Sequence, residues 1–177
     1  MTDGGLSTKD ICFTGIFTAM MIVMAQISIP MPLGVPMTMQ TFAVSLAGVM
    51  LGAKRGAMAA ALYVLLGTAG LPVFANFSGG LGIVLGPTGG FIISFPVMAA
   101  LIGLGAGKGA HCLIIGLAAG TAVNSAAGMA MFSAVTGRGL GVAFSACVLP
   151  FIPTAVIKAF AAGMLGSKIR ERLTVSA

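Results

Sequence analysis

Residues 38–69 read TMQTFAVSLAGVMLGAKRGAMAAALYVLLGTA. Two apolar runs, 38–53 and 56–69, flank one pair of charges, Lys54-Arg55. A bilayer core ~30 Å thick needs about 20 apolar residues per helix. The two runs are short for that. They predict either tilted helices that lengthen into their flanks or helices that stop below the surface beside a cavity. Working outward, further apolar runs occupy 11–29, 90–107, 110–134 and 150–167. The pattern predicts an all-α integral membrane protein with six transmembrane helices in a single bundle. Residues 1–177 form one membrane domain, with external loops at 30–37 and 69–90.

Composition points the same way. Of 177 residues, 58% are hydrophobic and 7% are charged, against ~25% charged in a typical soluble domain. Mean hydropathy is +1.12. Nine basic and three acidic side chains cannot cover the surface of a soluble fold of this size. The acids are Asp3, Asp10 and Glu171, so none lies between Ile11 and Arg170. That excludes paired-carboxylate catalysis, carboxylate metal clusters and an intramembrane carboxylate relay. The net charge of +6 does not indicate nucleic acid, because the basic residues are scattered between apolar spans. Attraction to anionic lipid headgroups explains them more simply.

The basic residues also orient the chain. With the N-terminus inside, Lys9, Lys54, Arg55, Lys108, Lys168, Arg170 and Arg172 fall on the cytoplasmic side and only Arg138 falls outside. This positive-inside bias predicts six spans with both termini cytoplasmic. Lys9 and the apolar run after it also resemble a secretory signal, but Val23-Met24-Ala25 is a poor cleavage site, and retention is expected. The run Lys168 to Arg172 is expected to face headgroups. Cys12, Cys112 and Cys147 are far apart and are expected to be small buried thiols. His111, with no Cys, Asp or Glu near it, is expected at the interface rather than on a metal.

The two external loops are uncharged. Residues 30–37, PMPLGVPM, hold three prolines that break helix and stiffen the chain. Residues 69–90, AGLPVFANFSGGLGIVLGPTGG, are both apolar and glycine-rich. Such a loop is better explained as a lid packed over a cavity, where backbone amides can approach a ligand, than as a solvated linker. A re-entrant plug is the alternative.

Lys158 is the most informative residue. It lies inside the last span, where a lysine costs ~2.5–3.5 kcal/mol on insertion scales, and no intramembrane acid can neutralise it. It either snorkels to an interface, is deprotonated by desolvation, or takes its counter-charge from an anionic ligand, most simply a carboxylate. Gln26, Gln40, Tyr63, Ser94, Asn124 and Ser125 are the other intramembrane polar groups. Each can serve helix–helix hydrogen bonding alone. The amides of Gln40 and Asn76 also suit a neutral ligand head bearing N–H and C=O groups. Gly15-x-x-x-Ala19 places two small residues on one face of span one, which lets another helix approach closely. No phosphate-binding loop is present: Gly86-Pro87-Thr88-Gly89-Gly90 lacks the Gly-Lys-Ser/Thr ending. With no internal acid, no Ser-His-Asp set can form. The chain is not expected to be an enzyme, and uphill transport would draw its energy from a partner.

These residues also carry a resemblance. Residues 36–80, PMTMQTFAVSLAGVMLGAKRGAMAAALYVLLGTAGLPVFANFSGG, with GPTGGFIISFP at 86–96 and LPFIP followed by Ile157-Lys158-Ala159, resemble the BioY family. These are the biotin-specific S components of energy-coupling-factor (ECF) vitamin transporters. The resemblance runs from about Ile29 to Ala162. It implies a six-helix bundle in the bacterial cytoplasmic (inner) membrane that captures biotin from outside. The implied partners are a transmembrane coupling subunit and a pair of ATPase subunits. Biotin offers one carboxylate and a neutral ureido ring, which match the lysine and the amides. By resemblance, Lys158 and Asn76 contact biotin. The matching motifs add Gln40, Tyr63, Phe74, Ala75 and Gly79, and then Thr88, Gly89 and Gly90. Gly15 and Ala19 match the small-residue face that docks on the coupling subunit. No cofactor or metal is implied.

The chain departs from the family at one point. An aspartate usually stands three residues before the lysine, and here that position is Ala155. Positions 155 and 158 share a helix face, so the lysine loses its internal partner and depends more on the ligand's carboxylate. An S component for another small anionic vitamin or precursor, and an autonomous facilitator, are the alternative readings.

Overall fold

A computed structural model describes residues 7–31 and 34–175. Asp3, and Pro32 and Leu33 of the first loop, lie outside the described residues. The described chain is almost entirely helical. The helices are α1 (Thr8–Gln26), α2 (Gln40–Thr68), α3 (Leu81–Val84), α4 (Gly89–Gly105), α5 (Ala110–Thr136), α6 (Leu140–Cys147) and α7 (Ile152–Val175). Four stretches are long and apolar enough to cross a membrane: Thr8–Gln26, Gln40–Thr68, Ala110–Thr136 and Leu140–Arg172; Gly89–Gly105 is a shorter apolar helix.

α2 is two helices, not one. Gly52 sits at φ 77°, ψ −177°, a conformation essentially closed to residues with a side chain. The chain reverses there. A Cβ on Gly56 would lie 3.1 Å from the carbonyl oxygen of Ala47, and the Gln40 amide donates to the Tyr63 hydroxyl. Residues 40 and 63 would be ~35 Å apart on a straight helix. The two short apolar runs are therefore antiparallel arms, 40–51 and 53–68. The expectation that the first begins at Thr38 is corrected to Gln40, because residues 37 and 38 are in a strand.

That strand, β2 (Met37–Thr38), pairs antiparallel with β1 (Ser28–Ile29), joining Ser28 to Thr38 and Ile29 to Met37. The first loop is thus the tip of a small ribbon that starts before Pro30. This shortens the first span, expected to reach residue 29, to Gln26. The expected 90–107 span is observed as 89–105 and 110–134 as 110–136. The last helix runs eight residues past its expected end at 167, through Lys168 and Arg170. Arg170 does not simply face headgroups: its Nη1 donates to the Val49 carbonyl at 3.1 Å, at the end of the first α2 arm.

Small residues let the helices pack almost backbone to backbone. A Cβ on Gly48 would lie 2.7 Å from the Ala99 carbonyl oxygen, and one on Gly103 2.2 Å from the Ala53 nitrogen. α4 is thereby inserted against the α2 hairpin. α5 covers α4, where a Cβ on Gly120 would meet the Met98 carbonyl oxygen at 2.9 Å. α1 is tied to the second arm by Thr18 Oγ1, which donates to the Ala59 carbonyl at 3.0 Å. α7 lies on the first arm, with Gly166 against Val49. Outward-facing apolar side chains such as Ile16, Ile115 and Phe160 are about two-thirds exposed, as a surface solvated by lipid requires. Two of the cysteines belong to that outer surface: Cys12 and Cys112 are exposed and only Cys147 is buried. The expectation that all three are buried fails because hydrophobic residues in such a chain need not face the protein core.

The two ends of the bundle differ. At one end Arg55 Nε pairs with Asp10 Oδ1 at 2.9 Å, and Arg170 reaches Val49 and approaches Gly107. At the other end lie the β ribbon and the segment 69–88.

Candidate ligand-binding site

Beneath that second end is a cavity of about 350 Å³, within the size range of small-molecule sites. Gln40, Thr41 and Ser45 of the first α2 arm form one side. Phe91, Phe95 and Met98 of α4 form an apolar wall, and Thr121, Asn124 and Ser125 of α5 a polar one. Thr154, Ala155 and Lys158 of α7 close the fourth side, and Phe74, Ala75 and Asn76 form the roof. The first arm starts at the cavity itself, with Gln40 as both its first residue and part of the wall.

Lys158 Nζ donates to the Thr38 carbonyl at 2.6 Å. Among the described residues no carboxylate pairs with it, since Asp10 is engaged by Arg55 at the opposite end. A short hydrogen-bond chain continues from there. Thr38 Oγ1 donates to Gln40 Oε1 at 2.8 Å. Gln40 Nε2 donates to the Tyr63 hydroxyl, which donates to the Val73 carbonyl at 3.1 Å. The chain links α7, the ribbon, both α2 arms and the roof, and holds the Gln40 amide in one orientation.

On the far wall Asn124 Nδ2 donates to Ser94 Oγ at 2.8 Å and to the Phe91 carbonyl at 2.9 Å. Pro96 lies within α4 and denies the Ile92 carbonyl its helical donor; the side-chain donors Asn124 and Ser94 both reach the neighbouring Phe91 carbonyl. Both amide hydrogens of Asn124 are spent on the protein. Its Oδ1 is left to accept at the cavity wall.

The roof is a strained segment. A bridge between Phe74 and Ser78 closes a tight loop. Within it Asn76 has φ 57° and Phe77 φ 53°. Asparagine visits this left-handed region readily, whereas for phenylalanine it costs ~1–2 kcal/mol. Phe77 is nonetheless 72% exposed, so packing does not hold it there. Gln26, the last residue of α1, does. Its Oε1 accepts from the Phe77 N–H at 2.9 Å and its Nε2 donates to the Phe74 carbonyl at 3.1 Å.

Six of the ten expected contact residues line the cavity: Lys158, Asn76, Gln40, Phe74, Ala75 and Thr88. Tyr63, Gly79, Gly89 and Gly90 do not. Tyr63 is fully buried behind Gln40, with its ring edge-on to Phe74 at 5.5 Å. The three glycines serve the protein's own close packing. A Cβ would lie 2.2 Å from the Leu71 carbonyl oxygen at Gly79, 1.8 Å from that of Val84 at Gly89 and 2.2 Å from that of Ala127 at Gly90. The loop glycines were expected to let a ligand approach; these three let the backbone approach itself. Sequence reasoning did not assign Thr41, Ser45, Thr121, Asn124 or Ser125 to the site. The available signal was spacing: polar residues at i and i+4 on α2, and at i, i+3 and i+4 on α5, in otherwise apolar helices.

On one side the cavity continues past Thr121, Ser125, Ala155 and Ala159 into an apolar groove of about 1180 Å³ between α5 and α7. Gly15 and Ala19 lie away from the cavity on the exposed face of α1, and among the described residues nothing lies within 4 Å of a Cβ built on Gly15.

A model described as the BioY family matches residues 1–175. The chain is 38% identical over 165 residues to "Probable biotin transporter BioY" of Pyrococcus horikoshii, covering 93% of this chain and 98% of that one. It is 34% identical over 178 residues to "Biotin transporter BioY" of Rhizobium etli, covering 93% and 94%. Against "Biotin transporter BioY" of Thermotoga maritima the identity is 54% over 94 residues, 53% of this chain and 55% of that one. The fold is similar to the crystal structure of an S-component for biotin from an ECF-type ABC transporter, with a TM-score of 0.85, 27% identity and coverage of 97% of this chain and 95% of that one.

Proposed function

The chain belongs to the BioY family, and on that premise we propose that it captures biotin as the substrate-binding S component of an ECF-type transporter. It is a multi-pass membrane protein of a transporter family. The observation that carries the capture mechanism is Lys158. It stands at the wall of a roofed cavity with no described carboxylate beside it, among oriented amides and apolar rings. Lys158 Nζ pairs with the biotin carboxylate, exchanging its contact with the Thr38 carbonyl for a charge-assisted one. Asn76, Gln40 and Asn124 meet the ureido ring, and Phe91 and Phe95 the apolar body.

The geometry of the two ends supports one membrane topology for this reading. α1, the two α2 arms, α4, α5 and the α6–α7 stretch make six crossings. The Asp10–Arg55 and Arg170–Val49 contacts gather the basic segments at one end, which the positive-inside bias assigns to the cytoplasm. The cavity then faces outward in the cytoplasmic membrane, and both termini are inside. The exposed Gly15/Ala19 face of α1 docks on the transmembrane coupling subunit, whose ATPase partners supply the energy.

The test is equilibrium binding of labelled biotin to the purified, detergent-solubilised protein. Saturable binding weakened by Lys158→Ala supports the reading; a well-folded protein that binds no biotin overturns it. One observation favours a second ligand. Ala155 lines the cavity beside Lys158 and offers no acceptor for a ureido N–H. A small carboxylate with a less demanding head would suit that wall, and competition by such compounds against labelled biotin would reveal it.

A further inference from the structure

We propose that Gln26 is a positioning residue that latches the roof segment 73–77 to α1, keeping Asn76 at the cavity wall and so setting how long a ligand is retained. The ligand in this statement rests on the biotin-capture reading; the latch itself rests on geometry alone.

Gln26 does not line the cavity. It is half-buried at the end of α1, and its whole amide is directed at the roof and at its own helix. Nε2 donates to the Ile22 carbonyl at 3.1 Å, which fixes the side chain against the preceding turn. The same nitrogen donates to the Phe74 carbonyl at 3.1 Å and approaches the Val73 carbonyl at 3.5 Å. Oε1 accepts from the Phe77 N–H at 2.9 Å.

The Tyr63 hydroxyl holds only the Val73 carbonyl, at the start of the segment, and the other hydrogen bonds of residues 74–78 are internal. Phe74 N–H donates to the Ser78 carbonyl at 2.9 Å, and the Ser78 hydroxyl donates to the Ala75 carbonyl at 2.7 Å. Among the described residues, Gln26 is therefore the hydrogen-bond partner that ties residues 74–77 to another element. Phe77 is exposed and held at positive φ, so without that acceptor it relaxes toward extended backbone and turns the adjacent Asn76. α1 also carries the exposed Gly15 and Ala19 on its outer face.

The variant that tests this is Gln26→Met, which keeps the length and helix preference of the side chain and loses both polar atoms. In ligand-free protein, hydrogen exchange of the peptide containing Phe77 should accelerate ~10-fold, the factor expected for one lost hydrogen bond, while α4 peptides exchange as before. Unchanged exchange at Phe77 overturns the latch. Dissociation of labelled biotin should accelerate by a similar factor. In an Asn76→Ala background Gln26→Met should add less than ~2-fold, because the two residues act through one interaction. A full multiplicative effect there assigns Gln26 a packing role and overturns the positioning role. Adding Phe77→Gly to Gln26→Met should recover part of the lost retention, since glycine takes positive φ freely; a further loss counts against the strain argument. If neither protein binds biotin, the capture reading fails and exchange at Phe77 alone decides the latch.

Discussion

Lys158 and Ala155 line the candidate site on the same helix. A lysine in apolar surroundings needs a counter-charge, and among the described residues its partner is a neutral carbonyl. Charge-assisted hydrogen bonds contribute ~1.5–3 kcal/mol, so the methyl ester of biotin should bind at least ~10-fold more weakly than biotin. In Lys158→Ala the acid and the ester should bind equally, as competition binding can measure. Ala155→Asp should narrow the acid–ester gap from the other direction. A carboxylate three residues before Lys158 on the same face gives the ammonium an internal partner and makes it less dependent on the ligand. An undiminished gap in Ala155→Asp would show that the two side chains do not meet.

Among the elements, the α2 hairpin is the one on which the cavity depends. Gly52 lets the chain reverse so that Tyr63 of the second arm braces Gln40 of the first. Gly52→Ala should destabilise the protein by ~1–3 kcal/mol, the cost of a side chain in a conformation reserved for glycine. Thermal unfolding in detergent would measure it, and biotin affinity should fall with it as the Gln40 wall loosens. α1 makes a contrasting prediction. Its Gly15/Ala19 face is exposed, and among the described residues nothing lies within 4 Å of a Cβ built on Gly15, so Gly15→Trp should leave biotin binding unaltered and abolish uptake in cells carrying the coupling and ATPase subunits. Loss of both binding and uptake would place that face inside the fold rather than at a docking surface.

For the molecule as a whole, the question is which end faces which compartment. Single cysteines at Lys9 and Lys168, in a cysteine-free background, should react with a membrane-impermeant thiol reagent only after the membrane is opened. One at Arg138 should react in intact cells. Labelling of Lys9 and Lys168 from opposite sides would exclude an even number of crossings. The packing also differs around the bundle. The α2–α4–α5 helices meet through glycine contacts, whereas the α5–α7 seam widens into the apolar groove of about 1180 Å³.

The sequence alone determined the solvent and the class of element. A nearly uncharged chain built of long apolar runs selects membrane helices, because backbone groups in lipid must be satisfied within the segment and runs of this length are too long for barrel strands. It also singled out Lys158 and the uncharged loop around Asn76, since an unpaired charge and a long apolar loop are anomalies visible without coordinates. Only the tertiary structure decided which polar residues share a cavity. Gln40, Asn124 and Lys158 sit on three different helices, and the faces they present depend on packing between chain segments far apart in sequence. It likewise decided the role of the loop glycines, Gly79, Gly89 and Gly90, because a glycine that admits a ligand and one that admits a neighbouring backbone are the same residue in sequence. In a helix that is apolar all round, no hydrophobic stripe distinguishes the inner face from the lipid-facing one. Close contacts and hydrogen bonds between the packed helices make that distinction here.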